Sequence, residues 1–222
     1  MKKYELEPLS NLDPQTQTKI DSFTKIVRLK KGEIPFSNGE LLKYFYIVLK
    51  GRLKTYQINL TTNKEQTIFI LREGDMFDTM ILLDSKPHDV LYEALEDSEL
   101  IQMPIQNVRE LLATSKEFNK KIFPYIAKQM RDLEELATDL SLYSTYERLV
   151  KLLIQNLDPT NLSKYKLINN LSHTELAKLL GTVRHVVERH LKQLKLSKAI
   201  DTKNKNIKIL DTKKLLEKIN LL

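Results

Sequence analysis

Residues 172–196, SHTELAKLLGTVRHVVERHLKQLKL, read as two short helices joined at a glycine, the second carrying a polar, mostly basic stripe. Ser172 and Glu175 stand at the capping-box spacing, where a serine oxygen and a glutamate carboxylate can each satisfy a free backbone N–H at a helix start. Leu176, Leu179 and Leu180 form one apolar face, Ala177 is small where two helices would cross, and Gly181 falls where the turn needs a positive φ. In the second helix Val183, Val187, Leu191 and Leu194 recur every three or four residues and are expected to face the core, leaving Arg184, His185, Glu188, Arg189 and Lys192 on the opposite stripe. An arginine at the N-terminus of such a helix can fork onto guanine O6 and N7, while Arg189 and Lys192 can reach bases or phosphates. Ser172 and Thr182 complete the candidate DNA-contacting set. A solvated amphipathic helix hairpin has the same local pattern, so the rest of the chain must decide between the two.

Charge favours the nucleic-acid reading. The formal balance of +7 is unevenly spread: residues 144–222 hold 16 Lys+Arg against 7 Asp+Glu, residues 116–143 hold 5 against 5, and residues 1–115 hold 15 against 17. The excess positive charge therefore lies with the helix pair, as expected if that third alone meets phosphates.

A length of 222 residues with 41% hydrophobic content accommodates two small domains. No apolar run is long enough to span a bilayer, and the start MKKYELEPLS lacks the apolar segment of a signal peptide, so a soluble, cytoplasmic chain with no membrane partner is expected. Cysteine is absent, which excludes disulfides, thiolate zinc sites and cysteine-ligated iron–sulfur clusters.

From Val27 to about Pro104, short β-branched and aromatic runs alternate with Gly, Asn, Asp and Pro, the pattern of a small β-barrel or sandwich. Expected strands are Ile26–Leu29, Tyr44–Val48, Leu53–Ile58, Thr67–Leu71, Val90–Ala94 and Glu99–Met103, with helices at residues 13–25 and 105–113. After Ser115 the pattern becomes a long helix with the heptad seam Ile122, Ile126, Gln129, Leu133, Leu136, Leu140 and Tyr143. This seam is expected to pair with an identical partner as a coiled coil; packing onto its own β domain is the alternative. Pro124 should kink this helix or weaken its first turn. A helix from Thr145 to about Asn156 follows a bend at Ser144, the segments Ala199–Thr202 and Asn206–Leu210 read as a two-stranded wing around Lys203-Asn204-Lys205, and residues 211–222 form a terminal amphipathic helix. The expectation is thus an α+β chain: a β-roll sensing domain over residues 1–115, a dimerisation helix over 116–143, and a winged helix-turn-helix over 144–222.

This order of parts resembles a known family. GEIPFSNGELLKYFYIVLKGRLKTY and REGDMF in the β block, the long helix, and LAKLLGTVRHVVERHLKQL together resemble the Crp/Fnr family of bacterial transcription regulators, over roughly Leu9 to Leu210. The resemblance implies a cyclic-nucleotide-binding-like jelly roll and a homodimer on a pseudo-palindromic promoter site, with a signal in the β-roll repacking the dimer helices. It implies a regulator rather than an enzyme, and RNA polymerase as a further partner, although no local motif marks a polymerase surface.

Two departures stand out. Family members that bind cyclic nucleotides carry a Gly-Glu pair after the roll turn and a later Arg-Ser pair on the ribose and phosphate; here Asp78-Thr79 and, with one deletion, His88-Asp89 occupy those places. A buried phosphate needs a permanent cation with forked donors, whereas two aspartates would repel it, so a cyclic nucleotide is not the expected effector. In the recognition helix Arg184 and Arg189 match the family's two arginines, but His185 replaces a glutamate that accepts from cytosine N4, so base choice should differ there. His190 is expected to be a packed histidine rather than a metal ligand.

The REGDMFDTM stretch also resembles the same turn in the carbon-monoxide-sensing haem branch of the family, which makes haem a candidate cofactor with Met80 or His88 as axial ligand; the alternative is that Met80 fills a core gap and His88 is a loop residue. Asp78, Thr79, Met80, His88 and Asp89 form the candidate effector pocket. A cupin-like metal enzyme would need several histidines converging in the β block, which has one, and a scaffold without DNA affinity would leave the segregated charge unexplained.

Overall fold

The structure is a computed structural model that describes residues 2–36, 39–158, 161–165, 167–203 and 206–217. Two compact units emerge, one of Met1–Gln57 with Phe69–Leu133, the other of Ile58–Ile68 with Glu134–Leu222.

The first unit opens with two short 3-10 helices, Lys2–Glu5 and Glu7–Leu9, and then α1, Pro14–Phe23. Asp13 starts α1 by accepting the Thr16 N–H at 2.9 Å, and Pro14 takes the first helical position, where its missing N–H costs nothing. Strands β1 (Lys25–Leu29), β2 (Tyr44–Lys50), β3 (Arg52–Asn59), β4 (Lys64–Arg72), β5 (Leu91–Ala94) and β6 (Ser98–Pro104) follow, with helix α2 (Thr79–Asp84) between β4 and β5. They form two antiparallel three-stranded sheets, β1-β6-β2 and β4-β3-β5, with registers that include Ile47 opposite Ile101 and Leu53 opposite Ala94. Phe45, Tyr46, Ile47 and Val48 are buried in an unbroken run, so β2 is covered on both faces and cannot show simple alternation. The expected strands are all present, each within a few residues of its sequence bounds.

Helix α3 (Ile105–Thr114) leads into α4 (Lys116–Leu142), which runs unbroken through Pro124. The rotation of α4 corrects the expected seam. Ile122 is fully buried near Phe118 within its own chain and cannot serve as a knob toward a partner, while Gln129 is half-buried and bonded to Thr79 and Tyr125. The exposed apolar residues are Phe123, Met130, Leu133, Leu140, Leu142 and Tyr143, with Ile126 and Leu136 half-buried. Of the expected seam, Ile126, Leu133, Leu136, Leu140 and Tyr143 stay half-buried or exposed, whereas Ile122 faces the β-roll and the adjacent Phe123 and Met130 are exposed.

In the second unit α5 (Thr145–Gln155) begins with a complete capping box, Ser144 accepting the Glu147 N–H at 3.3 Å and the Glu147 carboxylate accepting the Ser144 N–H at 2.8 Å. The bend expected at Ser144 is thus the N-cap of this box. Strands β7 (Leu157–Asp158) and β8 (Asn161–Tyr165), not anticipated from sequence, form a small antiparallel pair. Helices α6 (His173–Leu179) and α7 (Arg184–Leu196) are followed by the antiparallel pair β9 (Ile200–Lys203) and β10 (Asn206–Ile209), and by α8 (Thr212–Glu217). Asn204 and Lys205 of the expected wing turn, and residues 218–222 of the expected terminal helix, lie outside the described residues.

Candidate nucleic-acid interface and effector pocket

Leu176 and Ala177 of α6 are buried against the inner face of α7, which contributes Val187, Leu191 and Leu194, all of them buried. Small size at Ala177 allows the close crossing. Between the helices Gly181 adopts φ +65 and Thr182 N–H returns to the Ala177 carbonyl at 2.9 Å, which makes the sharp turn. Ser172 caps α6 by accepting the Glu175 N–H at 3.1 Å, so its hydroxyl is engaged in the fold, while the Glu175 carboxylate reaches Lys178 at 3.3 Å. Val183 departs from expectation. It is the N-cap of α7, extended in backbone and 51% exposed, and therefore stands before the helix rather than on its inner face.

Arg184, His185, Arg189 and Lys192 are exposed and Glu188 is half-exposed. By helical spacing His185, Arg189 and Lys192 lie opposite the buried Val187, Leu191 and Leu194, whereas Glu188 is on the flank and Arg184, three residues before Val187, is exposed because it is the first residue of α7, which corrects the expected single stripe. Arg184 Nε donates to Glu188 Oε1 at 2.7 Å, and His173 Nδ1 lies 3.3 Å from that same oxygen. These contacts, the arginine first, hold the Glu188 carboxyl below its ordinary range. His190 packs edge-on against Tyr146 with ring centroids 5.3 Å apart; burial and then Arg189 push its pKa down. It is a packed histidine.

One positioning residue left no signal in the sequence. Arg148 of α5 donates from Nε and Nη2 to the Leu180 carbonyl at 3.2 and 2.9 Å, and from Nη1 to the Tyr143 carbonyl at 2.8 Å. Its fork thus ties the end of α6, just before the helix-turn-helix glycine, to the chain leaving α4. Nothing about an arginine inside an amphipathic helix distinguishes this role from a solvated one.

In the β-roll, Asp78 sits at φ +44, caps α2 through the Ile81 N–H at 3.3 Å, and has a side chain only 2% exposed. Its carboxylate meets His88 Nδ1 at 3.1 Å and the Tyr92 hydroxyl at 3.5 Å. The hydrogen bond that the Asp78 carboxylate accepts from the protonated ring raises the His88 pKa, and burial, followed by the Asp78 charge, holds the Tyr92 phenol well above its usual range. Thr79 Oγ1 donates to Gln129 Oε1 at 2.7 Å, Gln129 Nε2 donates to the Tyr125 hydroxyl at 3.2 Å, and that hydroxyl accepts the Met76 N–H at 2.9 Å. Side chains of α4 are in this way bonded to the stretch just after the roll turn. Asp78, Thr79 and His88 therefore come together; Asp89 is exposed beside them and gives its carbonyl to Gln57 Nε2 at 2.9 Å.

Met80 is 48% exposed on α2, which corrects the expectation that it fills a core gap. Phe36, Tyr46, Phe77 and Tyr92 pack ring on ring, with neighbouring centroids 4.4 to 6.0 Å apart.

Family models match both halves of the chain: the cyclic nucleotide-binding domain over residues 26–115, and the Crp-like helix-turn-helix domain over residues 147–218. A relative from Lacticaseibacillus casei, named "Probable transcriptional regulator flp", is 27% identical over 201 residues, covering 90% of each chain. The transcriptional activator protein Anr of Pseudomonas protegens is 24% identical, covering 92% of this chain and 84% of its own. Among solved structures, a doubly substituted CooA from Carboxydothermus hydrogenoformans superimposes with a TM-score of 0.76 at 22% identity, covering 95% of this chain and 92% of that one. With both domain models in the expected order and relatives that span nearly the whole length, the chain belongs to the Crp/Fnr family of transcription regulators, with a helix-turn-helix DNA-binding domain.

Proposed function

We propose that the chain acts as a homodimer that reads a pseudo-palindromic promoter site with α7, residues 1–115 sensing, 116–143 pairing and 144–222 binding DNA. The observation that carries this is the exposure of His185, Arg189 and Lys192 on one face of α7, with Arg184 exposed at its N-terminal end, while Val187, Leu191 and Leu194 hold the other face in the core. Donors so arranged can enter a major groove without unfolding anything. Arg184 and Arg189 are assigned to base edges and Lys192 to phosphate; Thr182 sits at the turn and Ser172 contributes through the cap. A two-fold axis would place two such helices about one helical turn of DNA apart.

The signal in the β-roll is assigned to something other than a cyclic nucleotide. A phosphate there would face the Asp78 carboxylate, itself bonded to His88, where a forked permanent cation is required. RNA polymerase remains a partner by family resemblance. The test is a titration of full-length protein against duplexes selected from a random pool, with scrambled duplexes as reference, across a range of salt. The reading requires tight, salt-dependent binding with a preference for selected duplexes of two-fold symmetry; equal affinity for scrambled DNA overturns it. Addition of cyclic AMP should leave that affinity unchanged.

A further inference from the structure

Arg184 stands at a place where helix physics disfavours it. It is the first residue of α7, so its charge meets the positive end of the helix dipole, and its partner Glu188 lies four residues toward the C-terminus, the less favourable order for an ion pair. The pair is also solvent-exposed, with Arg184 67% accessible, where such contacts add little to stability. A carboxylate on the flank of α7 moreover repels the phosphates that Arg189 and Lys192 would approach. The arrangement thus costs both helix stability and non-specific affinity.

What it gains is orientation. The bond to Glu188 is made through Nε, at 2.7 Å, so the fork left for a base is the pair of terminal Nη groups. His173, from the neighbouring helix α6, approaches the same Oε1 at 3.3 Å and fixes the carboxylate from the side. A flexible arginine becomes a directed one, with less rotamer freedom to lose on binding.

We propose that Glu188, held by His173, is a specificity-determining positioning residue that presents Arg184 end-on to guanine and at the same time penalises attachment through the DNA backbone alone. Selectivity then comes from a repulsive element as well as an attractive one. The proposal rests on the assignment of α7 to the major groove given above, and adds a role for His173, which is not itself on the α7 stripe.

The test uses the full-length chain and a duplex pool randomised over both half-sites, with affinities then measured for the best duplex and for versions with each guanine replaced. In Glu188→Gln, affinity for random duplex should rise about two- to fivefold as a repelling charge is lost, while the preference for guanine at one half-site position should fall about fivefold or more. His173→Ala should weaken the same preference. In an Arg184→Ala background, Glu188→Gln should no longer move base choice at that position. Unchanged guanine preference in Glu188→Gln, or an equal loss on random and selected DNA, overturns the proposal, as does a base shift that persists without Arg184. If the unaltered protein selects no sequence at all, it is the groove assignment itself that fails.

Discussion

Glu65 and Lys178 form an ion pair at 2.7 Å with only 13% and 26% of their side chains exposed, and it fastens the start of β4 to α6. The adjacent residues repeat the connection, Gln66 Nε2 donating to the Leu179 carbonyl at 3.2 Å. Both contacts lie inside the unit that holds Ile58–Ile68 with Glu134–Leu222. Lys178 keeps a second carboxylate, Glu175 at 3.3 Å, so losing Glu65 does not strand a charge. Glu65→Ala should therefore cost only about 1 kcal/mol, and lower the melting midpoint by about 2–4 °C. A double-mutant cycle with Lys178→Ala measures the coupling, and strict additivity would show that the pair contributes nothing.

Two glycines should respond differently to alanine. At Gly51, φ is +90 and an added Cβ would collide with Ser98 Oγ and lie 2.9 Å from Ser98 Cα, which is backbone of the neighbouring β6 and cannot rotate away. At Gly181, φ is +65 and the near atoms are Gln66 Oε1 at 2.7 Å and Leu140 Cδ2 at 2.8 Å, both ends of side chains that can move. Gly51→Ala is expected to lose about 3 kcal/mol or more, and Gly181→Ala about 1–2 kcal/mol, mostly backbone strain. Chemical denaturation of the two variants gives the order, and Gly181→Asn should recover part of the loss because asparagine tolerates left-handed backbone.

The rotation of α4 separates folding from pairing. Ile122→Ala should cost about 2–5 kcal/mol of stability by leaving a cavity, with no change in oligomeric state. Met130→Glu, at a residue 66% exposed in the single chain, should leave the fold intact and shift sedimentation from dimer to monomer. Dimers that survive Met130→Glu and Phe123→Glu together would show that this face is not the seam.

The contrast between these two residues also shows how far the sequence can be read. The heptad spacing was legible because it follows from helix geometry; which of two adjacent stripes meets the β-roll depends on Phe118, Tyr125 and Gln129 finding partners remote in sequence, such as Thr79 and Met76. Strands and the helix-turn-helix were legible for the same local reason, through periodicity and Gly181. Val183 was misplaced because periodicity continues smoothly across a cap, whereas the backbone does not. Helix α2 was not anticipated: six residues are too short for a period, and its start is set by Asp78 in a left-handed conformation. Periodicity groups His185, Arg189 and Lys192 on one exposed face, but Arg184 stands at the helix start away from that face, and its contact with Glu188 and His173 depends on α6 and α7 being in place. Arg148 shows the same limit, since its carbonyl partners are defined by where two other helices end.

Base-reading and phosphate-binding residues should separate by what they do to specificity. Arg184→Ala is expected to cost about 1–3 kcal/mol on a selected duplex and to relax base choice. Lys192→Ala should weaken selected and scrambled duplexes about equally and reduce the slope of log affinity against log salt by about one. Anisotropy titrations of both variants on both duplexes make the comparison; an equal loss on both for Arg184→Ala would remove it from direct base reading.

Two histidines should give the two units opposite responses to pH. His88 is bonded to the Asp78 carboxylate, which raises its pKa above the ordinary 6.5; Asp89 and Asp84 act in the same direction and burial opposes them. The folded first unit therefore binds a proton more tightly than the unfolded chain, and this contribution to stability is full below 6.5 and lost as pH rises through the folded-state pKa. His190 is displaced downward from 6.5 by burial and then by Arg189. Its unfolded form binds the proton more tightly, so its contribution is full above 6.5 and lost as pH falls below that value. Ring proton NMR should show His88 titrating above and His190 below a histidine of the unfolded chain. Between about pH 5.5 and 8, where few other groups titrate, His88→Gln should remove stability preferentially at the acid end, and His190→Gln should flatten the acid loss in the second unit. Midpoints that move in parallel for both variants would refute the assignment of these environments.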